Sequence, residues 1–249
     1  MSDFDKILTE TKRFLEQERL LFGNTYFREP MKNKKKQPDE PVGEPLLFET
    51  PPPANQEVWE GAQSLDHLNA QICECQKCSL GRTRTKFVFG VGNPNADLMV
   101  IGEAPGADED AQGEPFVGRA GQLLNKILEA VNFKREDVYI ANILKCRPPN
   151  NRKPLPEETD LCEPYLWKQI ELIKPKILLL LGLTAAQTLL NTKESMGQLR
   201  QSIHVYRETP VFVTYHPAAL LRNPNWKRPT WEDVQKLRTM YDEVTKGNS

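Results

Sequence analysis

Four short apolar runs, Leu98–Ile101, Val138–Ile140, Ile177–Leu181 and Val211–Thr214, alternate along the chain with stretches of helical periodicity. Each run has the length and composition of a strand buried on both faces. The helical patterns are Gly121–Val131, Glu157–Ile173, Thr184–Leu190 and Trp231–Val244. Such alternation predicts a mostly parallel sheet covered on both faces, because parallel neighbours require a crossover and a helix supplies it. Pro154 and Pro156 mark the start of the second helix, and Pro175 follows its end.

The first strand and its following helix are joined by a long connection within GEAPGADEDAQGEPFVGRAGQLL, Gly102 to Leu124. Connections of this kind usually run about 2–6 residues. This one is rich in glycine and acid, carries two prolines and holds a single aromatic, Phe116. In open α/β sheets ligands bind beyond the carboxyl ends of the strands, where this loop begins. The composition suits a loop that surrounds something flat and polar.

The chain has 249 residues, a formal net charge of −1 and 39% hydrophobic residues, enough for one sizeable core in one or two domains. That charge argues against a surface coated in basic residues but leaves room for a local basic groove. No apolar run approaches the roughly 18 residues of a membrane span. The opening MSDFDKILTE has early acids and no apolar block, unlike a secretory signal, so a cytoplasmic protein is expected. Residues 1–24 predict an N-terminal helix, with Phe4, Ile7, Leu8, Phe14, Leu15 and Leu21 near one face. Residues 25–60 are rich in proline and lysine and predict a flexible linker. Residues 61–249 form the expected compact domain. His67, in its first helix, is expected to be an ordinary surface or half-buried histidine.

Five cysteines in a chain without a signal favour metal ligation or reduced thiols over a disulfide framework. Cys75 and Cys78 form a CxxC before the first strand, Cys146 follows the second strand, and Cys162 lies early in the next helix. By spacing alone, zinc and a [4Fe–4S] cluster suit four such thiolates equally. Cys73 is left over.

The GEAPGADEDAQGEPFVGRAGQLL block, NILKCRPPNNR and HPAALLRNP fall in that order on loops after successive strands. With the four cysteines, they closely resemble the family-4, iron–sulfur uracil-DNA glycosylases, from about Cys75 to Glu243. The resemblance implies a three-layer α/β/α sandwich with a mostly parallel central sheet. It implies a base-excision-repair enzyme that flips uracil out of single- or double-stranded DNA and hydrolyses its N-glycosidic bond. It also implies a [4Fe–4S] cluster on Cys75, Cys78, Cys146 and Cys162, and a monomer that is nucleoid-associated when acting. The N-terminal helix lies outside the resemblance and is available to a protein partner.

The resemblance further assigns site residues. Gly102 and Glu103 open the uracil pocket, with Glu103 the first candidate for steadying an oxocarbenium-like state or a water. Family 4 has alanine where the first uracil-glycosylase family has an aspartate, and Ala104 stands there. Phe116 offers a stacking face, and Glu109 lines the C5 side of the base. The Asn142 amide donates to uracil O4 and accepts from N3–H, which cytosine mismatches. His216 donates to O2 as charge builds on the leaving base. Leu220 is the expected wedge that fills the place of the flipped base. Arg222, Arg147 and Arg152 supply phosphate contacts. Asp108 and Asp110 are read as loop-capping or solvated. The rival reading is a metal-stapled nucleic-acid-binding module, which would not need Phe116, Asn142 and His216 together. A relative that stays covalently attached to abasic DNA carries a histidine-bearing insert, and NILKCRPPNNRKPLP has no histidine.

Overall fold

The computed structural model describes residues 57–246. The expected helix over 1–24 and the linker up to residue 56 lie outside the described residues. Residues 57–60, assigned to the linker by composition, pack on the domain instead. Val58–Gly61 is a 3-10 turn. Its Trp59 meets Tyr165 edge to face, with ring centroids 4.9 Å apart at 81°.

The sheet has six strands: β1 (Val91–Gly92), β2 (Leu98–Gly102), β3 (Tyr139–Asn142), β4 (Ile177–Leu181), β5 (His204–Tyr206) and β6 (Thr209–Thr214). Their spatial order is β1-β3-β2-β4-β6-β5. The inner four are parallel, and β1 and β5 run antiparallel at the edges. The helices are α1 (Leu65–Ile72), α2 (Ala107–Gln112), α3 (Arg119–Ala130), α4 (Pro156–Ile173), α5 (Leu183–Leu189), α6 (Met196–Leu199), α7 (Pro217–Arg222) and α8 (Lys227–Lys246). Among the described residues no helix is long and apolar enough to cross a membrane.

Strand periodicity of two explains the layers, since successive side chains point to opposite faces. Met99 and Ile101, Leu178 and Leu180, and Val211 and Val213 enter one core with Leu68, Leu166 and Ile170 of α1 and α4. Leu98 and Val100, Ile177 and Leu179, and Phe212 enter the other with Leu124 and Leu128 of α3 and Val234 and Leu237 of α8. Helices therefore cover both faces of a mostly parallel sheet, and the three-layer expectation holds. Two large apolar faces, each excluding water, hold the strand ends as a rigid platform.

Candidate active site

The site sits where β2, β3 and β6 end. Gly102 and Asn142 are paired across β2 and β3. The pairing continues past them, as Ile143 N–H donates to the Gly102 carbonyl (3.0 Å) and Leu144 N–H to that of Glu103 (3.1 Å). Asn142 is 2% exposed, so its side chain has little freedom. Its Oδ1 is buried and has no hydrogen-bond partner among the described residues. Leaving such an atom unpaired costs about 1–3 kcal/mol, and native proteins rarely do so without a reason. From behind, the buried ammonium of Lys145 donates to the Asn142 carbonyl (2.9 Å) and to Gln169 Oε1 (2.6 Å). Burial lowers the Lys145 pKa to about 8, and the neighbouring Cys162 and Cys146 oppose that shift.

The connection after β2 is not irregular throughout, because it contains α2. The carboxylate of Glu109 on that helix ties the loop together. Oε2 accepts from Gly106 N–H (3.1 Å), and Oε1 accepts from Val117 and Gly118 N–H (both 3.0 Å). Glu109 lines the cleft, but both of its oxygens already hold backbone on either side of Phe116. Asp110, expected to be loop-capping or solvated, is buried and accepts from Thr85 N–H (2.9 Å). Arg135 holds the loop from outside through the Pro115 carbonyl (2.6 Å).

Phe116 stands at φ +54°, a conformation uncommon for a bulky side chain. Its ring stacks on that of His216, with centroids 5.4 Å apart at 30°. Two glycines make room for this arrangement. A Cβ on Gly102 would run into Asn142 Oδ1 and come within 2.7 Å of Phe116 Cζ, while one on Gly121 would overlap the Phe116 carbonyl.

His216 caps the N-terminus of α7, and its Nδ1 accepts from Ala218 N–H (3.2 Å). The proton of the neutral ring must then sit on Nε2. Burial, and secondarily the Arg222 charge, lower its pKa to about 4, so the ring is neutral near pH 7. Glu103, Phe116, Asn142, His216, Arg152 and Arg222 line one cleft of about 330 Å³ together with Ala104, Pro148 and Asn151. Three separate loops thus converge, as the sequence suggested.

Two expectations need revision. Leu220 is only 1% exposed and belongs to the core, so it cannot serve as a wedge in this arrangement, whereas Leu221 beside it is 42% exposed. Helical phase decides this, since α7 packs its Leu220 side inward. The guanidinium of Arg152 reaches the cleft but is engaged by buried Glu158 through Nη1–Oε2 (2.8 Å) and Nη2–Oε1 (2.6 Å). Arg147 donates to Asn151 Oδ1 (2.8 Å), and Arg222 is exposed at the rim. Lys145, Gln169 and Gly121 were not anticipated, because only the folded packing shows what they touch.

The four cysteines also converge. None is in a disulfide. Burial raises the Cys146 thiol, and the Cys78 and Cys75 sulfurs are near enough to raise it further. Cys162 is pushed up to about 12 by burial, and it too feels Cys146 and Cys78. Arg84 Nη1 donates to Cys146 Sγ (3.3 Å) and Lys145 N–H to Cys162 Sγ (3.3 Å). Tyr165 Oη donates to Cys75 Sγ (3.2 Å). Among the described residues no three His, Cys, Asp or Glu side chains are disposed to hold a single metal ion. Cys146 and Cys162 are buried and Cys75 and Cys78 half-buried, a set of four thiols of the kind that can hold zinc or a [4Fe–4S] cluster.

Comparison with known proteins is consistent across the domain. A family model described as the uracil DNA glycosylase superfamily matches residues 89–235. A protein of Archaeoglobus fulgidus named type-4 uracil-DNA glycosylase is 43% identical over 183 residues, covering 70% of this chain and 92% of that protein. One of the same name from Saccharolobus solfataricus is 44% identical over 184 residues, covering 70% and 85% respectively. Another from Thermotoga maritima is 40% identical over 186 residues, covering 73% and 97%.

Proposed function

The chain belongs to the uracil DNA glycosylase superfamily and excises uracil from DNA, and we propose that Asn142, His216, Phe116 and Glu103 carry the reaction. The base must leave the stack before the glycosidic bond can be reached. The observation that carries this reading is the unpaired, buried Oδ1 of Asn142 at the cleft. Uracil N3–H supplies the missing donor, and the same amide can donate to O4. Cytosine has no proton at N3 and presents an amine in place of O4, so it would leave this amide mispaired. A site built to pair a polar edge rejects a mismatched one strongly.

Phe116 gives the ring a face to lie against. His216 then serves as a neutral donor. Its Nε2–H points to O2 as the C–N bond lengthens and charge collects on the leaving base. The pKa lowered to about 4 fits this role, because a neutral donor can stabilise the anion without yielding its proton to solvent equilibria. No side chain among the described residues hydrogen-bonds or pairs with the Glu103 carboxylate, which lines the cleft. It is free to orient water or steady the oxocarbenium-like sugar. Arg222 and Arg147 meet phosphates, in single- or double-stranded DNA.

Cys75, Cys78, Cys146 and Cys162 would hold a [4Fe–4S] cluster. The cluster would tie the segment before β1 to the loop after β3 and to α4, and so fix Asn142 and Arg147 in place. The test is uracil release from a deoxyuridine oligomer by purified protein, followed by alkaline strand cleavage and paired with iron content. Release with about four irons per chain is expected. Iron-loaded protein that releases no uracil would overturn the reading.

A further inference from the structure

Beside His216 lies a stack that the chemistry above does not use. The guanidinium of Arg200 lies 4.7 Å from the centre of the Tyr215 ring. Trp226 lies on Tyr215, with centroids 4.7 Å apart and planes at 5°. The bottom of this stack is fixed. Arg200 is bound by Asp233 through Nε–Oδ2 (2.6 Å) and Nη2–Oδ1 (2.9 Å), and Asp233 also accepts from Thr214 Oγ1 (2.6 Å). Thr214 and Tyr215 lead directly into His216, so the stack is built on the backbone that positions the imidazole. The top is open. Trp226 is 37% exposed, and its indole N–H donates to no group among the described residues. It follows cleft-lining Arg222 by one short 3-10 turn, Pro224–Trp226. A large aromatic exposed on a rigid support at a basic rim is poorly explained by packing alone. A flat partner would continue the series of cation, phenol and indole.

We propose that Trp226 is a stacking platform for a nucleobase flanking the extruded nucleotide on the same DNA strand. This rests on the reading that the chain acts on uracil in DNA. Stacking on an exposed aromatic is tolerant of sequence, because every base has a π-face. The platform therefore adds grip on unpaired strands without choosing their sequence.

The test compares wild type with Trp226→Ala and Trp226→Phe on a minimal deoxyuridine carrying phosphates alone and on oligomers extended to the 5′ or the 3′ side. Trp226→Ala is expected to raise KM about 10-fold on oligomers extended to one side, with kcat kept, and Trp226→Phe to restore most of it. The rise should be absent on the minimal substrate. Equal KM for wild type and Trp226→Ala on every extended oligomer would overturn the proposal. So would equal losses on minimal and extended substrates, which would mean that Trp226 only covers Tyr215. Trp226→Leu, which covers Tyr215 without a flat π-face, replaces the alanine variant if that one does not fold. Tryptophan fluorescence titrated with uracil-free oligo(dT) is independent of glycosylase activity. Wild type should be quenched more deeply than Trp226→Phe, and identical quenching counts against the platform even if uracil release fails altogether.

Discussion

Adding one methyl group at Gly102 should disable the site while leaving the fold standing. The Cβ of Gly102→Ala would meet Asn142 Oδ1 and lie 2.7 Å from Phe116 Cζ and 2.8 Å from its Cε2. Carbon atoms rest at about 3.5–4.0 Å, so the phenyl ring must retreat by roughly 0.8 Å or more. It has little room to do so. The backbone just after Phe116 is held by Glu109 through Val117 and Gly118 N–H, the Phe116 carbonyl abuts Gly121, and the ring lies against His216. Asn142 is equally confined at its end of β3. The strain therefore moves both the Asn142 amide and the Phe116 ring. Overpacking of this kind costs about 1–3 kcal/mol of stability. A misplacement of about 1 Å in a reacting geometry costs on the order of 10²-fold in rate. Single-turnover uracil release with enzyme in excess measures the second effect, and thermal unfolding the first. An alanine variant that excises uracil within about threefold of wild type would refute the reasoning.

Three further outcomes follow from the same geometry. Gly121→Ala places a Cβ 2.8 Å from the Phe116 Cα and into its carbonyl, which are backbone atoms that cannot swing away. It should lose about 3 kcal/mol or more by urea denaturation, visibly more than Gly102→Ala. His216 has a pKa of about 4 in the folded protein against 6.5 for its ordinary value, so the unfolded chain binds the extra proton between those pH values. Its contribution to stability is present above pH 6.5 and declines by about 3 kcal/mol as pH falls to 4. The stability difference between wild type and His216→Asn should slope across that window, and a flat difference would contradict the assignment. Cys162→Ser should purify with less iron and weaker visible absorption, and it should unfold at lower temperature. Unchanged iron content would remove Cys162 from the ligand set.

Much of this architecture is legible from apolar periodicity. The four inner strands are continuous buried runs, and their burial on two faces is what makes the runs continuous. The edges are not legible. Val91–Gly92 is two residues long, and His204–Tyr206 is half exposed, so neither carries a period. Helix α2 is hidden for a related reason: its sequence ADEDAQ buries only Asp110 and has no apolar stripe. In the site, Phe116, Asn142 and His216 are legible because the three motifs that carry them resemble, in order, those of the family-4 uracil-DNA glycosylases; a lone histidine or asparagine would otherwise read as structural. Contacts made across the sheet were out of reach. Nothing in the sequence tells that Gly102 faces Asn142 Oδ1, or that Lys145 is buried behind it. The choice between Leu220 and Leu221 turns on a single residue of helical phase, which only the packing of α7 settles.

The central claim is that the unpaired amide of Asn142 reads the edge of uracil. The most direct measurement is single-turnover uracil excision by Asn142→Leu, which keeps the side-chain shape and removes its hydrogen bonds, with affinity for a uracil-free duplex measured alongside. A loss of about 10²-fold or more in excision at unchanged duplex affinity is expected. Excision by the leucine variant at the wild-type rate would show that the base is recognised elsewhere.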